Sequence, residues 1–155
     1  HTLLVSSRRG DNELETIREL SIMVNILKKL YNIVFIMASQ LNNAMLDVRR
    51  LSTQAGQYPN QTDIFGSKSI FHVSDNIIIL VNPSKLNIGT KLYGPDSLPL
   101  NIKVKGKIYE YIYAHTIKAR DGEVGVDPLI NNLKYNKLIE YDDTRRATFR
   151  TKYSV

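Results

Sequence analysis

The chain of 155 residues contains no cysteine and no tryptophan. Without cysteine there can be no disulfide framework and no thiolate metal site. That absence fits a reducing compartment. Long hydrophobic runs are missing too. The longest, "IVFIMA" and "IIILV", fall well short of the ~20 apolar residues that cross a bilayer. No charged-then-apolar signal peptide opens the chain. The GxxxxGK[ST] phosphate loop, the dinucleotide GxGxxG and the hydrolase GxSxG elbow are all absent. The chain therefore has no usual phosphate cradle of its own. His1, His72 and His115 do not stand at ligand spacing with carboxylates, which argues against a zinc site.

What is present is an ordinary globular composition, 43% hydrophobic and 23% charged, long enough for one domain with a core. Lysine and arginine exceed the acids by 21 to 15, a net charge of +6. A basic balance favours anionic partners such as nucleic acid or nucleotides. The opening "HTLLV" reads as an apolar strand with no lead-in, the pattern expected where numbering begins partway through a longer polypeptide.

Periodicity predicts a helix over "ELETIRELSIMVNILKKLY". Leu14, Ile17, Met23, Ile26, Leu27 and Leu30 recur at helical spacing, and acids come early and lysines late. Asn12 and Glu15 have capping-box spacing. Ile33 to Ala38 is a continuous apolar run after a helix, the pattern of a strand buried on both faces in a parallel sheet. A long polar segment from Asn42 to Thr62 opens with a short helix at Asn43 to Arg50. Asp63 to His72 turns into another short helix, and "DNIIILV" is a second buried strand. Residues 83–107, rich in Pro, Gly, Lys and Asn, read as an insertion or hairpin. "KIYEYIYAHTIKAR" alternates as a long strand, closed by the turn signal "GEVG". "DPLINNLKYNKLIEY" reads as a strand pair or a strand and a turn, and residues 141–155 as a basic C-terminal tail. The order predicts an α/β fold with a mostly parallel sheet.

The candidate functional residues lie at strand ends, where open α/β sheets bind ligands. Ser39 and Gln40 close the "IVFIMA" strand. Lys118 and Arg120 close the "YIYAHTI" strand, where alternation aims both cations one way. Two like charges side by side repel, and the sequence sets no obvious carboxylate cluster against them. They are equally readable as solvated charges, and Gln40 as a plain strand cap.

Several segments, in order, resemble the C-terminal motor domain of DnaB-type hexameric replicative helicases, including phage versions. "ASQLNNAM" resembles the family's strand ending in Ser-Gln-Leu-Asn, and "DIFGSKSIFHVSDNIIIL" its Asp-Leu-Arg-(Glu or Gly)-Ser-Gly segment. "IKARDGEVG" resembles its Lys-x-Arg-x-Gly, and "HTLLV" the stretch just after its Walker B aspartate. The similarity spans roughly residues 1–82 and 108–139. It implies a RecA-like, mostly parallel sheet flanked by helices with a C-terminal antiparallel hairpin extension. Residues 1–140 would be the C-terminal part of that ATPase domain, with 83–107 an insertion. It further implies ATP and Mg2+ as cofactors, single-stranded DNA as partner, a homo-oligomeric ring and a cytoplasmic protein.

By the same resemblance, Gln40 matches the sensor of the γ-phosphate. An amide suits that task because it both donates and accepts. Phe65, Gly66 and Lys68 match the loop that holds the DNA backbone. Lys118 and Arg120 match a pair reaching the neighbouring subunit's ATP, with Arg120 as arginine finger. The chain departs from the family where Phe65 and Asn43 replace arginines and Lys68 replaces a glycine. Walker A is missing, so this stretch alone should be inactive. Two alternatives stand beside this one: another RecA-type ATPase such as a recombinase, and a non-catalytic nucleic-acid-binding or structural module.

Overall fold

A computed structural model describes residues 13–65, 67–104, 106–132 and 137–140. The expected strand at His1 to Val5, Gly66 of the expected DNA loop and the basic tail 141–155 lie outside the described residues.

Helix α1, Glu13–Tyr31, forms where periodicity predicts it. Its packed face differs from the expected stripe. Ile17 and Ser21 are buried, and Val24 and Lys28 half-buried, a spacing that aligns them along one side facing α3. Met23, Ile26 and Leu30 are exposed. The run from Ile33 to Ala38 overturns its expectation more sharply. It belongs to no strand, and Val34 and Ile36 are 88% and 95% exposed. A strand buried on both faces needs neighbours on both edges and a layer on each side. The described residues supply neither.

The polar segment then folds on itself. A 3-10 turn, Asn43–Leu46, precedes α2, Val48–Leu51. The single helix expected at Asn43 to Arg50 is split by Asp47, which stays extended and accepts from the Arg49 amide at 2.8 Å as N-cap. The next helix starts later than expected. Asn60 and Asp63 form a capping box around the 3-10 turn Gln61–Asp63, and α3 is Ser67–Val73. Arg50 ties this segment together. Its guanidinium donates to both carboxylate oxygens of the fully buried Asp63, to Tyr58 O at 2.8 Å and to Gly56 O at 2.8 Å.

The strands are β1 (Asn76–Val81), β2 (Leu92–Tyr93), β3 (Leu98–Pro99), β4 (Asn101–Val104), β5 (Lys107–Ala119), β6 (Gly125–Asn132) and β7 (Lys137–Glu140). The main sheet runs β1-β5-β6-β7 with β4 also on β5, and every pairing is antiparallel. This corrects the expectation of a RecA-like, mostly parallel sheet flanked by helices. The physical reason is connection length. β4 and β5 are joined by two residues, and β5 and β6 by five, too few for the crossover that parallel neighbours need. β1 is not buried on both faces either. Ile79 and Val81 are inside, whereas Ile78 and Leu80 are exposed.

The expected insertion at residues 83–107 is part of the core. The small β2–β3 hairpin sends Tyr93 and Leu98 into the cluster that holds Ile79, Val81, Tyr111 and Tyr113. Tyr93 stacks on Tyr113 with ring centroids 5.4 Å apart. The hairpin is latched to the polar segment by Gln57, which accepts from the Gly94 amide at 2.7 Å and donates to Leu51 O at 3.2 Å. β6 and β7 realise the strand-pair reading of "DPLINNLKYNKLIEY".

Candidate functional site

The long strand β5 carries Lys118 and Arg120 to its end, beside β1. Ala119 pairs with Asn76, and the Arg120 amide donates to Asp75 O at 3.0 Å. Asp75 thus sits where β5 finishes. Arg120 Nη1 lies 2.5 Å from Asp75 Oδ1, and Lys28 Nζ donates to Asp75 Oδ2 at 2.6 Å. Lys28 also reaches Val73 O at 3.5 Å. Its hydrogen bond holds the Asp75 carboxyl below the usual carboxylate range. Partial burial opposes that shift, and the charges of Arg120 and Lys118 add to it.

Lys118 turns to the C-terminus of α3. Its ammonium donates to Phe71 O at 2.5 Å and His72 O at 3.4 Å, and lies 4.9 Å from the centre of the Phe71 ring. A cation here meets carbonyls that have no partner within the helix. The expectation that no carboxylate faces the two cations is thereby corrected. Asp75 is remote from Arg120 along the chain, and only the β1–β5 pairing brings it alongside. Sequence reasoning passed over both Asp75 and Lys28. The signal open to it was the acid immediately before "NIIILV".

Gln40 lies elsewhere, exposed at the end of the extended run. The next residue, Leu41, makes an isolated antiparallel bridge with Ile64, and the Asn42 amide donates to Asp63 O at 2.8 Å. Gln40 and Phe65 are the next residues outward on either side of that bridge. The backbone thus joins the expected phosphate sensor to the expected DNA loop. Phe65 is half-buried. Lys68 is within the first turns of α3, and its side chain lies outside the described residues, as does Gly66. The seven-residue α3 links the two regions. It begins just after Phe65 and ends under Lys118.

A third feature is apolar. Tyr58, Phe71, Ile117 and Val126 line an open groove of about 320 Å³ that also touches His115. No lysine or arginine lines it, so it does not suit an anion. His115 is 3% exposed, with Nε2 2.9 Å from the Tyr93 hydroxyl. Burial pushes its pKa down to about 4, so it is a neutral member of the aromatic core.

Among the described residues, no group of three His, Asp or Glu side chains converges to hold a metal ion. Asp75, the carboxylate nearest the cations, is already neutralised by them. The described residues therefore do not fit Mg2+, and toward a nucleotide they offer cations rather than a cradle. No described helix is long and apolar enough to cross a membrane.

No family model matches the chain. No curated protein matches it either. Among solved structures the chain is similar to the ATPase domain of a DnaB-like phage helicase, with a TM-score of 0.64 at 18% sequence identity. The alignment covers 92% of this chain and 42% of that one, so the chain spans less than half the length of its structural neighbour. At this identity the likeness shows a shared fold.

Proposed function

We propose that this chain is part of an ATP-dependent DNA helicase motor, moving along single-stranded DNA as a hexameric ring with ATP bound between neighbouring subunits. The observation that carries the reading is Arg120. It is a cation at the end of the longest strand, 58% exposed despite its ion pair, on a fold shared with an ATPase domain. An arginine so placed can reach past its own subunit. Delivered to the phosphate of a neighbour's ATP, it would stabilise charge on the transferring phosphoryl group. Lys118, on the same strand, would add a second positive charge once released from α3.

Gln40 would sense the γ-phosphate, and Phe65, Gly66 and Lys68 would contact the DNA backbone. The Leu41–Ile64 bridge supports this pairing of roles, because a shift at Gln40 is transmitted directly to the chain entering the loop. ATP and Mg2+ would be held chiefly by residues other than the described ones.

The test is ATP turnover by the full-length oligomer. Arg120→Ala should lower it by about 10³-fold, the lower end of what arginine fingers contribute. Mixed into wild-type protein, the variant should also depress its wild-type neighbours, because the residue acts across the interface. Unchanged turnover in the variant would sink the assignment. A second reading is favoured by one observation, that both cations are already engaged within the chain. It is a non-catalytic nucleic-acid-binding module, and single-stranded DNA binding by the full-length protein without any ATP turnover would support it.

A further inference from the structure

Asp75 faces two cations, and the two contacts are unequal. Lys28 makes an aligned hydrogen bond to Oδ2 at 2.6 Å. Arg120 approaches Oδ1 to 2.5 Å, yet Oδ1 is buried and receives no aligned hydrogen bond. The guanidinium is thus held by charge rather than by a directed bond. Lys28 is the more sheltered partner, also reaching the Val73 carbonyl, whereas Arg120 is mostly in water. An ion pair with one exposed partner is weak and exchangeable. When Arg120 departs, Lys28 remains to neutralise the carboxylate.

The position of the contact gives it a direction. Asp75 immediately precedes β1, the strand next to the end of β5. A guanidinium bound there is drawn back along the edge of its own sheet. It cannot at the same time extend beyond the sheet to a ligand.

We propose that Asp75 is a positioning residue that latches Arg120 within its own subunit, competing with an external phosphate group for the guanidinium, while Lys28 weakens the latch by sharing the carboxylate. The proposal rests on the reading of Arg120 as a trans-acting finger. It adds a regulatory step to it: the finger is withheld until a polyphosphate in the adjoining site outcompetes Asp75.

The experiment measures kcat and KM for ATP in the full-length assembled protein without DNA, in wild-type and Arg120→Ala backgrounds. Asp75→Asn keeps the shape and removes the charge. It should raise basal turnover by up to about fivefold, the factor corresponding to the upper range for an exposed pair. Lys28→Met leaves Arg120 as the remaining cation on Asp75 and should lower basal turnover. Asp75→Glu should restore wild-type behaviour. In the Arg120→Ala background both the rise and the fall should vanish. If Asp75→Asn and Lys28→Met both lower turnover, and do so equally in the two backgrounds, Asp75 serves only packing and the latch is overturned. Failure of the finger itself reads differently: Arg120→Ala alone then leaves turnover unchanged, before any change at Asp75 is made.

Discussion

Arg50 grips Asp63 with both arms of its guanidinium, and the carboxylate it holds is entirely shut off from water. The hydrogen bond to Asp63 is the largest cause of the raised Arg50 pKa, so the pair stays charged at any ordinary pH. Asp63 also accepts from the Asn60 amide at 2.8 Å. Its removal leaves two donors and one largely buried charge without a partner. Asp63→Ala should therefore destabilise the chain by about 3–5 kcal/mol, the range for breaking one side of a buried pair. Urea denaturation checks this. A loss below about 1 kcal/mol would mean that water replaces the carboxylate freely.

His115 makes stability depend on pH. Burial holds its folded pKa near 4, against an ordinary value of 6.5. The hydroxyl of Tyr93, whose own pKa burial raises, keeps its proton and can donate it to Nε2. As pH falls below 6.5 the unfolded chain takes up a proton that the folded chain refuses. Stability should therefore decline between pH 6.5 and about 4, by on the order of 3 kcal/mol in all. Asp75 does not blur this window. Its pKa is depressed, so its contribution is present above its unfolded value of 3.8 and is lost only below that. Thermal denaturation across the range should show the decline in the wild type and a flatter profile in His115→Asn.

Two glycines share a left-handed backbone and differ in surroundings. Gly94 has φ +71°, and a Cβ there would come within 1.8 Å of the Tyr58 ring. Gly106, at φ +81°, has nothing within 4 Å. Gly106→Ala should lower stability by only the backbone term, about 1–2 kcal/mol. Gly94→Ala adds a clash with a ring that is itself held by a 2.8 Å bond from its hydroxyl to Asp96. It should lose clearly more, and loosen the β2–β3 hairpin. Similar melting temperatures for the two variants would show that Tyr58 yields easily.

These sites illustrate what a sequence can carry. Local periodicity placed α1, β1 and β5 correctly, and alternation aimed Lys118 and Arg120 at one structural corner. Sheet direction was not legible. An apolar run such as "IVFIMA" records burial on two faces but names no partner strand. The partners of the cations were hidden for the same reason, since Asp75 and the α3 carbonyls become neighbours only through pairing between remote strands. Tyr93 was masked by the polar composition around it, although "LYGPDSLPL" has the form of two short apolar strands about a turn. Phe65 and Gln40 were read as separate sites. The single Leu41–Ile64 bridge that joins them leaves no periodic trace.

The run from Ile33 to Met37 yields the last prediction. Every residue in it is exposed, including Val34 and Ile36, and it makes no strand pairing among the described residues. Burial contributes almost nothing at a position that is already in water, so Ile36→Lys should change unfolding free energy by no more than about 0.5 kcal/mol. Its effect should appear between molecules instead. An extended apolar segment with unpaired backbone groups is a template for another strand, and a lysine on it opposes such pairing. Light scattering from the chain at high concentration should fall on Ile36→Lys and rise again with Ile36→Val. A large loss of folding stability in Ile36→Lys would instead show that the segment is covered within the same chain.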